Sequence, residues 1–253
     1  MSHTAPTLVA EIVSQVFDQM IKSVQIAERS KLYFEDVRNE DILLYQELDN
    51  DTFDAEDNDD NIARPSEAEN SYIEEKKGAI VALGVLAVNL GETFHPYLET
   101  SYREVFKRIN YPETSISQSS LYTLSQFFEA FSKAQSIDSK EMMHSSADIL
   151  IPILLRLIYE TNESSILEAA VITYSSILEF AKSKVPFQRG HKDDTRKCII
   201  DIIAGNTKCQ NLKETTTERD IYVKHHTGAM LANFQRAIRS SSEESLSVFE
   251  QIL

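Results

Sequence analysis

SYIEEKKGAIVALGVLAVNLGETFHPYLETSYREVFKRINYP, residues 71–112, holds two helices and one turn. In the first helix Ile73, Ile80, Leu83, Ala87 and Leu90 recur on one face, while Val81, Val85 and Val88 make the remaining faces apolar too. A helix apolar almost all round must be covered from several sides. Gly91 sits just past the last periodic residue, where a left-handed end position favours glycine, and Thr93 is placed to cap the second helix. That second helix carries Pro96 in its first turn, where a missing N–H costs little, and then a stripe of Leu98, Tyr102, Val105, Phe106 and Ile109. Glu99, Arg103, Glu104 and Lys107 fall on its other face, and Asn110-Tyr111-Pro112 ends it. The spacing predicts an antiparallel helical hairpin of about forty residues.

A lone hairpin cannot bury a helix that is apolar on every side, so neighbouring hairpins must stack on it, which is the logic of an α-solenoid. Composition agrees. The chain has 253 residues, of which 42% are hydrophobic, and only six glycines and six prolines interrupt long stretches at helical period. That scarcity favours helix and argues against a sandwich or an α/β sheet. The apolar runs fall short of the roughly twenty residues that span a bilayer, and no signal-peptide pattern precedes Thr7, so a soluble, intracellular protein is expected. Cys198 and Cys209 are too few for a disulfide framework, which points to reduced thiols in cytosol or nucleus.

The formal charge of −15 is unevenly spread. Residues 35–60 carry twelve acidic side chains against one basic one, Arg38, leaving only −4 for the rest of the chain. A surplus of this sign repels nucleic acid and anionic membranes and attracts basic proteins such as histone tails or ribosomal proteins.

Taken in order, residues 7–28 read as the second helix of a repeat whose first helix is missing, with Leu8 or Val9, Ile12, Val16, Met20 and Ile21 or Val24 on its apolar side. Residues 35–70 form an acidic flexible insertion, in which Ile42, Leu43, Leu44 and Tyr45 make a small apolar island. Whole repeats follow at 71–111, 113–160 and 163–209, and a partial one at 216–253. In the second of these the stripe is Met142, Ile149, Ile153, Leu157 and Ile158; in the third it is Cys198, Ile199, Ile202 and Ile203. The last partial repeat reads as a helix over 221–238 with its partner starting near Glu243. First-helix starts near Tyr72, Thr114, Ser164 and Thr217 lie about 42, 50 and 53 residues apart, close to the HEAT period. The expected fold is all-α: a single α-solenoid segment of three whole and two partial HEAT-type hairpins.

The central hairpin also resembles one HEAT repeat of the importin-β superfamily of nuclear transport receptors, of the importin-4 type. The matching residues are Glu75-Lys76, Leu83-Gly84, Ala87-Val88-Asn89, Phe94, Pro96-Tyr97-Leu98-Glu99, Glu104 through Lys107, and Pro112. Weaker similarity continues through Thr207-Lys208-Cys209-Gln210 and the helix around Gly228. The resemblance implies a superhelical receptor of many repeats that holds cargo on its inner surface and releases it to the small GTPase Ran. This chain would be a middle fragment, with Ran contacted through repeats that lie outside it. In place of the later acidic loop of that branch stands the nearly neutral NLKETTTERD, residues 211–220.

Enzymatic chemistry has no carrier in the sequence: there is no Gly-rich phosphate loop, nucleophile elbow or kinase signature, and acidic density without convergent geometry does not make an acid–base pair. His191, Cys198, Cys209, His225 and His226 lack the tight pairs that zinc needs, and Cys198 on an apolar helix face reads as a small core residue. No catalytic residue, cofactor or metal is therefore expected. The cargo-binding candidates are Asp49, Asp51, Asp54, Glu56, Asp57, Asp59 and Asp60 of the insertion, and Glu99; Tyr102, Arg103 and Asp148 are further residues placed to face the interior. The reading is a nuclear import receptor fragment that binds basic protein cargo, with nucleoporins as further partners, monomeric, neither bound to nucleic acid nor inserted in a membrane, and shared between cytoplasm and nucleus. The alternatives are a HEAT scaffold that organises a complex without transport, and a histone-chaperone-like acidic binder.

Overall fold

In the computed structural model, which describes residues 11–25, 67–134, 137–180, 191–211 and 217–252, every described element is a helix. They are α1 (residues 11–25), α2 (Glu67–Leu90), a 3-10 turn (Gly91–Thr93), α3 (His95–Phe106), α4 (Thr114–Lys133), α5 (Ile137–Glu160), α6 (Ser164–Phe180), α7 (His191–Ala204), α8 (Lys208–Asn211) and α9 (Thr217–Ile252). The all-α, HEAT-like class expected from hydrophobic period is the observed one. The chain divides into two compact units, Met1–Ala79 and Ile80–Leu253.

In the first unit α1 buries Val13, Phe17, Ile21 and Val24. Ser23 Oγ donates to Glu75 Oε1 at 2.8 Å, which joins α1 to the start of α2. Ile21 and Val24 are buried as read from the sequence, but Ile12 and Val16 are exposed and the residues that follow them, Val13 and Phe17, are buried in their place. Ile12-Val13 and Val16-Phe17 are adjacent apolar pairs, so periodicity alone leaves the phase open, and the bulkier Phe17 takes the inside.

The second unit is a stack of hairpins. α4 packs on α5, α6 packs on α4 and on α5, and α9 packs on α6, with α7 against α5 and α9. Each first helix is tied to the one before it by a buried polar side chain. Thr123 Oγ1 donates to the Ile80 carbonyl at 3.2 Å, Thr173 Oγ1 to the Leu121 carbonyl at 2.9 Å, and Asn233 Nδ2 to both the carbonyl and the hydroxyl of Ser175 at 3.1 Å. Buried polar groups need such partners, and here the partner is the neighbouring repeat's backbone. Gly84 lets α2 approach α4: a Cβ there would meet Gln126 Oε1 at 2.0 Å and Thr123 Cγ2 at 3.0 Å.

Local turns explain the helix ends. Gly91 has φ +52°, the left-handed conformation expected of it. Gly205, at φ +78°, ends α7: its N–H donates to the Ile202 carbonyl at 3.1 Å and the Asn206 N–H to the Asp201 carbonyl at 2.8 Å. That pair of bonds is a Schellman motif.

Several expectations are corrected. α2 is not covered on every side, for Ile80, Leu83 and Ala87 are buried while Val81 and Val85 stay exposed. Thr93 makes no cap; Phe94 holds the N-cap position of α3 with no side-chain bond. Glu104 is buried, with Lys107 Nζ 2.7 Å from its Oε1 and Arg108 Nη2 3.9 Å from its Oε2. α9 runs on through residues 240–243, where Ser-Ser-Ser-Glu offers no glycine or proline to stop it. Contrary to the reading that no run is long enough, Ser139–Glu160 within α5 is long and apolar enough to cross a membrane by length and composition. Its buried face lies against α4, α6 and α7.

Candidate binding cleft

The sequence puts an aromatic row on α4, with Phe127, Phe128 and Phe131 all fully buried. α3 lays Tyr102 across that row, its ring centroid 6.4, 6.5 and 5.9 Å from the three phenylalanines and 5.8 Å from Phe106. These separations are in the range of favourable tilted and edge-on ring contacts. The cluster fixes α3 and leaves a cleft of about 760 Å³ between α3 and α5, the second helices of successive hairpins.

Leu98, Tyr102 and Phe106 of α3, Phe131 of α4, and Met142 and Ile149 of α5 form its apolar lining. Ser145 and Ser146 add hydroxyls, and Glu99, Arg103 and Glu141 stand at its edge. His95 Nε2 meets the Ser139 hydroxyl, bridging α3 to the first turn of α5. Burial pushes the Tyr102 phenol up to about 12, tempered by the Ser146 hydroxyl, so the ring is a neutral part of the lining at physiological pH. Arg103 Nη2 lies 2.6 Å from Glu99 Oε1, an exposed pair one turn apart, worth about 0–1 kcal/mol to stability but enough to neutralise both charges at the rim. Glu141 has no ion-pair partner among the described residues.

Of the residues singled out in the sequence, the structure brings Glu99, Tyr102 and Arg103 together in this cleft. Asp148 does not line it; it is half-buried on α5, and its Oδ1 has no hydrogen-bond partner among the described residues. Asp49, Asp51, Asp54, Glu56, Asp57, Asp59 and Asp60 lie outside the described residues, as do the Ile42–Tyr45 island and the link between α6 and α7, residues 181–190. Cys198 is a fully buried core residue whose thiol burial pushes up to about 12, and Cys209 is buried as well. Among the described residues no group of three His, Cys, Asp or Glu side chains is arranged to hold a metal ion.

Ile149 and Ile203 belong to the stripes expected from sequence, yet they are 58% and 50% exposed. Ile158 of the expected stripe is buried, and the rest of the buried apolar face of α5 is Met143, Ala147, Leu150, Ile151 and Leu154. Sequence reasoning misses the cleft for that reason. Its signal is an apolar residue one step outside the best helical phase.

Two known proteins match. The chain is 23% identical to importin-4 of Mus musculus over 184 residues, and 23% identical to importin-4 of Homo sapiens over 150 residues. This chain is similar to importin-4. The importin-4 likeness covers 68% and 58% of the chain but only 17% and 14% of those proteins, so the chain spans less than a fifth of their length. It agrees with the importin-β resemblance carried by the central hairpin. No protein-family model matches the chain.

Proposed function

We propose that this chain is a segment of a nuclear import receptor that binds basic protein cargo, histones or ribosomal proteins, for passage through nuclear pores. The observation that carries this reading is the importin-4 likeness, which runs over more than half of a chain whose described elements are stacked helical hairpins. The charge supports it: at −15 overall and −11 within residues 35–60, the chain attracts basic segments by long-range field and speeds their encounter. Asp49, Asp51, Asp54, Glu56, Asp57, Asp59, Asp60 and Glu99 are the proposed cargo-facing carboxylates. Ran acts through repeats outside this chain, nucleoporins are further partners, and the receptor moves between cytoplasm and nucleus. It is a binding protein and needs no catalytic group.

The test is titration of a lysine-rich histone-tail peptide against the chain, with and without residues 35–60, over a series of salt concentrations. Submicromolar binding that weakens steeply with salt supports the reading. Loss of both affinity and salt slope on deletion places capture in the acidic residues, and retained binding places it on the helices. No binding by either form overturns the proposal.

A further inference from the structure

We propose that the α3/α5 cleft receives one apolar side chain of a basic partner segment, an aliphatic or aromatic residue whose neighbouring lysine or arginine meets Glu141. This rests on the receptor reading above and narrows its ligand: positive charge brings the segment in, and an apolar residue among the cations decides which segment stays.

The lining asks for such an occupant. Tyr102, Phe106, Phe131, Met142 and Ile149 converge on the cleft. Ile149 stands 58% exposed on a helix whose opposite face is fully buried. Ser145 beside it is exposed, and its hydroxyl, which donates to the Glu141 carbonyl at 3.0 Å, keeps an oxygen that can accept from a backbone N–H of an extended peptide. A purely basic segment would leave this apolar surface wet, and a purely apolar one would leave Glu141 unanswered.

The rim settles the sign of the partner. Arg103 is the cation at the mouth, and Glu99 neutralises it at 2.6 Å. Glu141 is thus the uncompensated charge among the described residues of the rim, set in a chain of net charge −15. An acidic or phosphorylated segment would be repelled, and a basic one is complementary. The volume of about 760 Å³ exceeds that of a single side chain, which leaves room for flanking backbone.

The experiment compares two synthetic peptides of equal charge, alternating glycine and lysine, one with a central leucine and the other with serine in its place, binding to the full chain and to Ile149→Ser and Glu141→Gln variants. Both substituted residues are exposed, so the variants fold. The leucine peptide should bind about tenfold tighter than the serine peptide, the effect of burying most of one aliphatic side chain. That ratio should persist at high salt while both affinities fall. Ile149→Ser should erase the ratio without weakening the serine peptide, and Glu141→Gln should weaken the leucine peptide severalfold. Equal binding of the two peptides overturns the cleft proposal and leaves the basic-cargo reading standing. A ratio unchanged in both variants places the apolar contact elsewhere and also overturns it. If neither peptide binds, the basic-cargo reading falls, and this proposal with it.

Discussion

Thr173 donates its hydroxyl to the Leu121 carbonyl of the preceding hairpin at 2.9 Å, and to its own helix at the Ala169 carbonyl. Thr123 and Asn233 make the same reach at the joints on either side. Replacing Thr173 by Val keeps shape and removes the hydroxyl. The carbonyls it leaves still accept helix bonds, so the expected loss is about 1 kcal/mol. Asn233→Leu removes the donor to both Ser175 acceptors and should cost about 1–3 kcal/mol. Urea unfolding of each variant measures both; equal, negligible losses would show that these bonds do not hold the joints.

Gly84 sets two opposing effects against each other. An alanine Cβ would gain about 1 kcal/mol in helix propensity but must displace the end of the Gln126 side chain and press on Thr123. Gln126 is half-buried and can swing away, so Gly84→Ala should be nearly neutral in thermal unfolding. Gly84→Leu has no such escape and should cost several kcal/mol by overpacking.

Two other glycines separate backbone conformation from space. Beyond the adjoining backbone, no atom lies within 4 Å of where a Cβ would sit at Gly205 or Gly228, but only Gly205 has a positive φ. Gly205→Ala should destabilise by about 1–2 kcal/mol, and Gly228→Ala, exposed inside α9, should stabilise by about 0.5–1 kcal/mol. Opposite shifts in melting temperature are the readout.

Alkaline pH should unfold the second unit. Burial raises the Cys198 thiol from 9.0 to about 12 and the Tyr102 phenol from 10.0 to about 12, so between those values the unfolded chain releases protons that the folded one retains. These two groups leave stability unchanged between pH 7 and 9 and lower it as pH rises from 9 toward 12, by several kcal/mol in all. Cys198→Ala should delay the onset by about one pH unit, to where Tyr102 begins to titrate, although the cavity lowers stability at every pH. Denaturant midpoints measured from pH 7 to 11 give the profile.

Helix starts are the most legible feature. Thr114, Ser164 and Thr217 begin α4, α6 and α9 as expected, because Pro112 or a polar stretch precedes each start and strong 3.6-residue periodicity succeeds it. Phase is less legible where apolar residues are adjacent: Val13 and Phe17, not Ile12 and Val16, point inward, and Ile149 points outward. Glu104 falls on the wet face in the sequence because a charged residue usually belongs there, yet the folded chain buries it beside Arg108, one turn on. The cleft has no signature in either helix alone. It depends on how far Tyr102 and its aromatic neighbours hold α3 from α5, a distance that belongs to the pair.

The two sides of the α2–α3 and α4–α5 joint are built differently. On the first-helix side the Thr123 hydroxyl and the close approach at Gly84 act as a spine, where any sliding breaks a buried bond or drives atoms together. On the other side a cleft lies between α3 and α5, and spreading them breaks the part-buried His95–Ser139 hydrogen bond at one end and wets a few apolar side chains. Strain applied to this joint is therefore relieved like the opening of a book, with the covers moving at Ile149 and Glu99 while the binding at Thr123 stays shut.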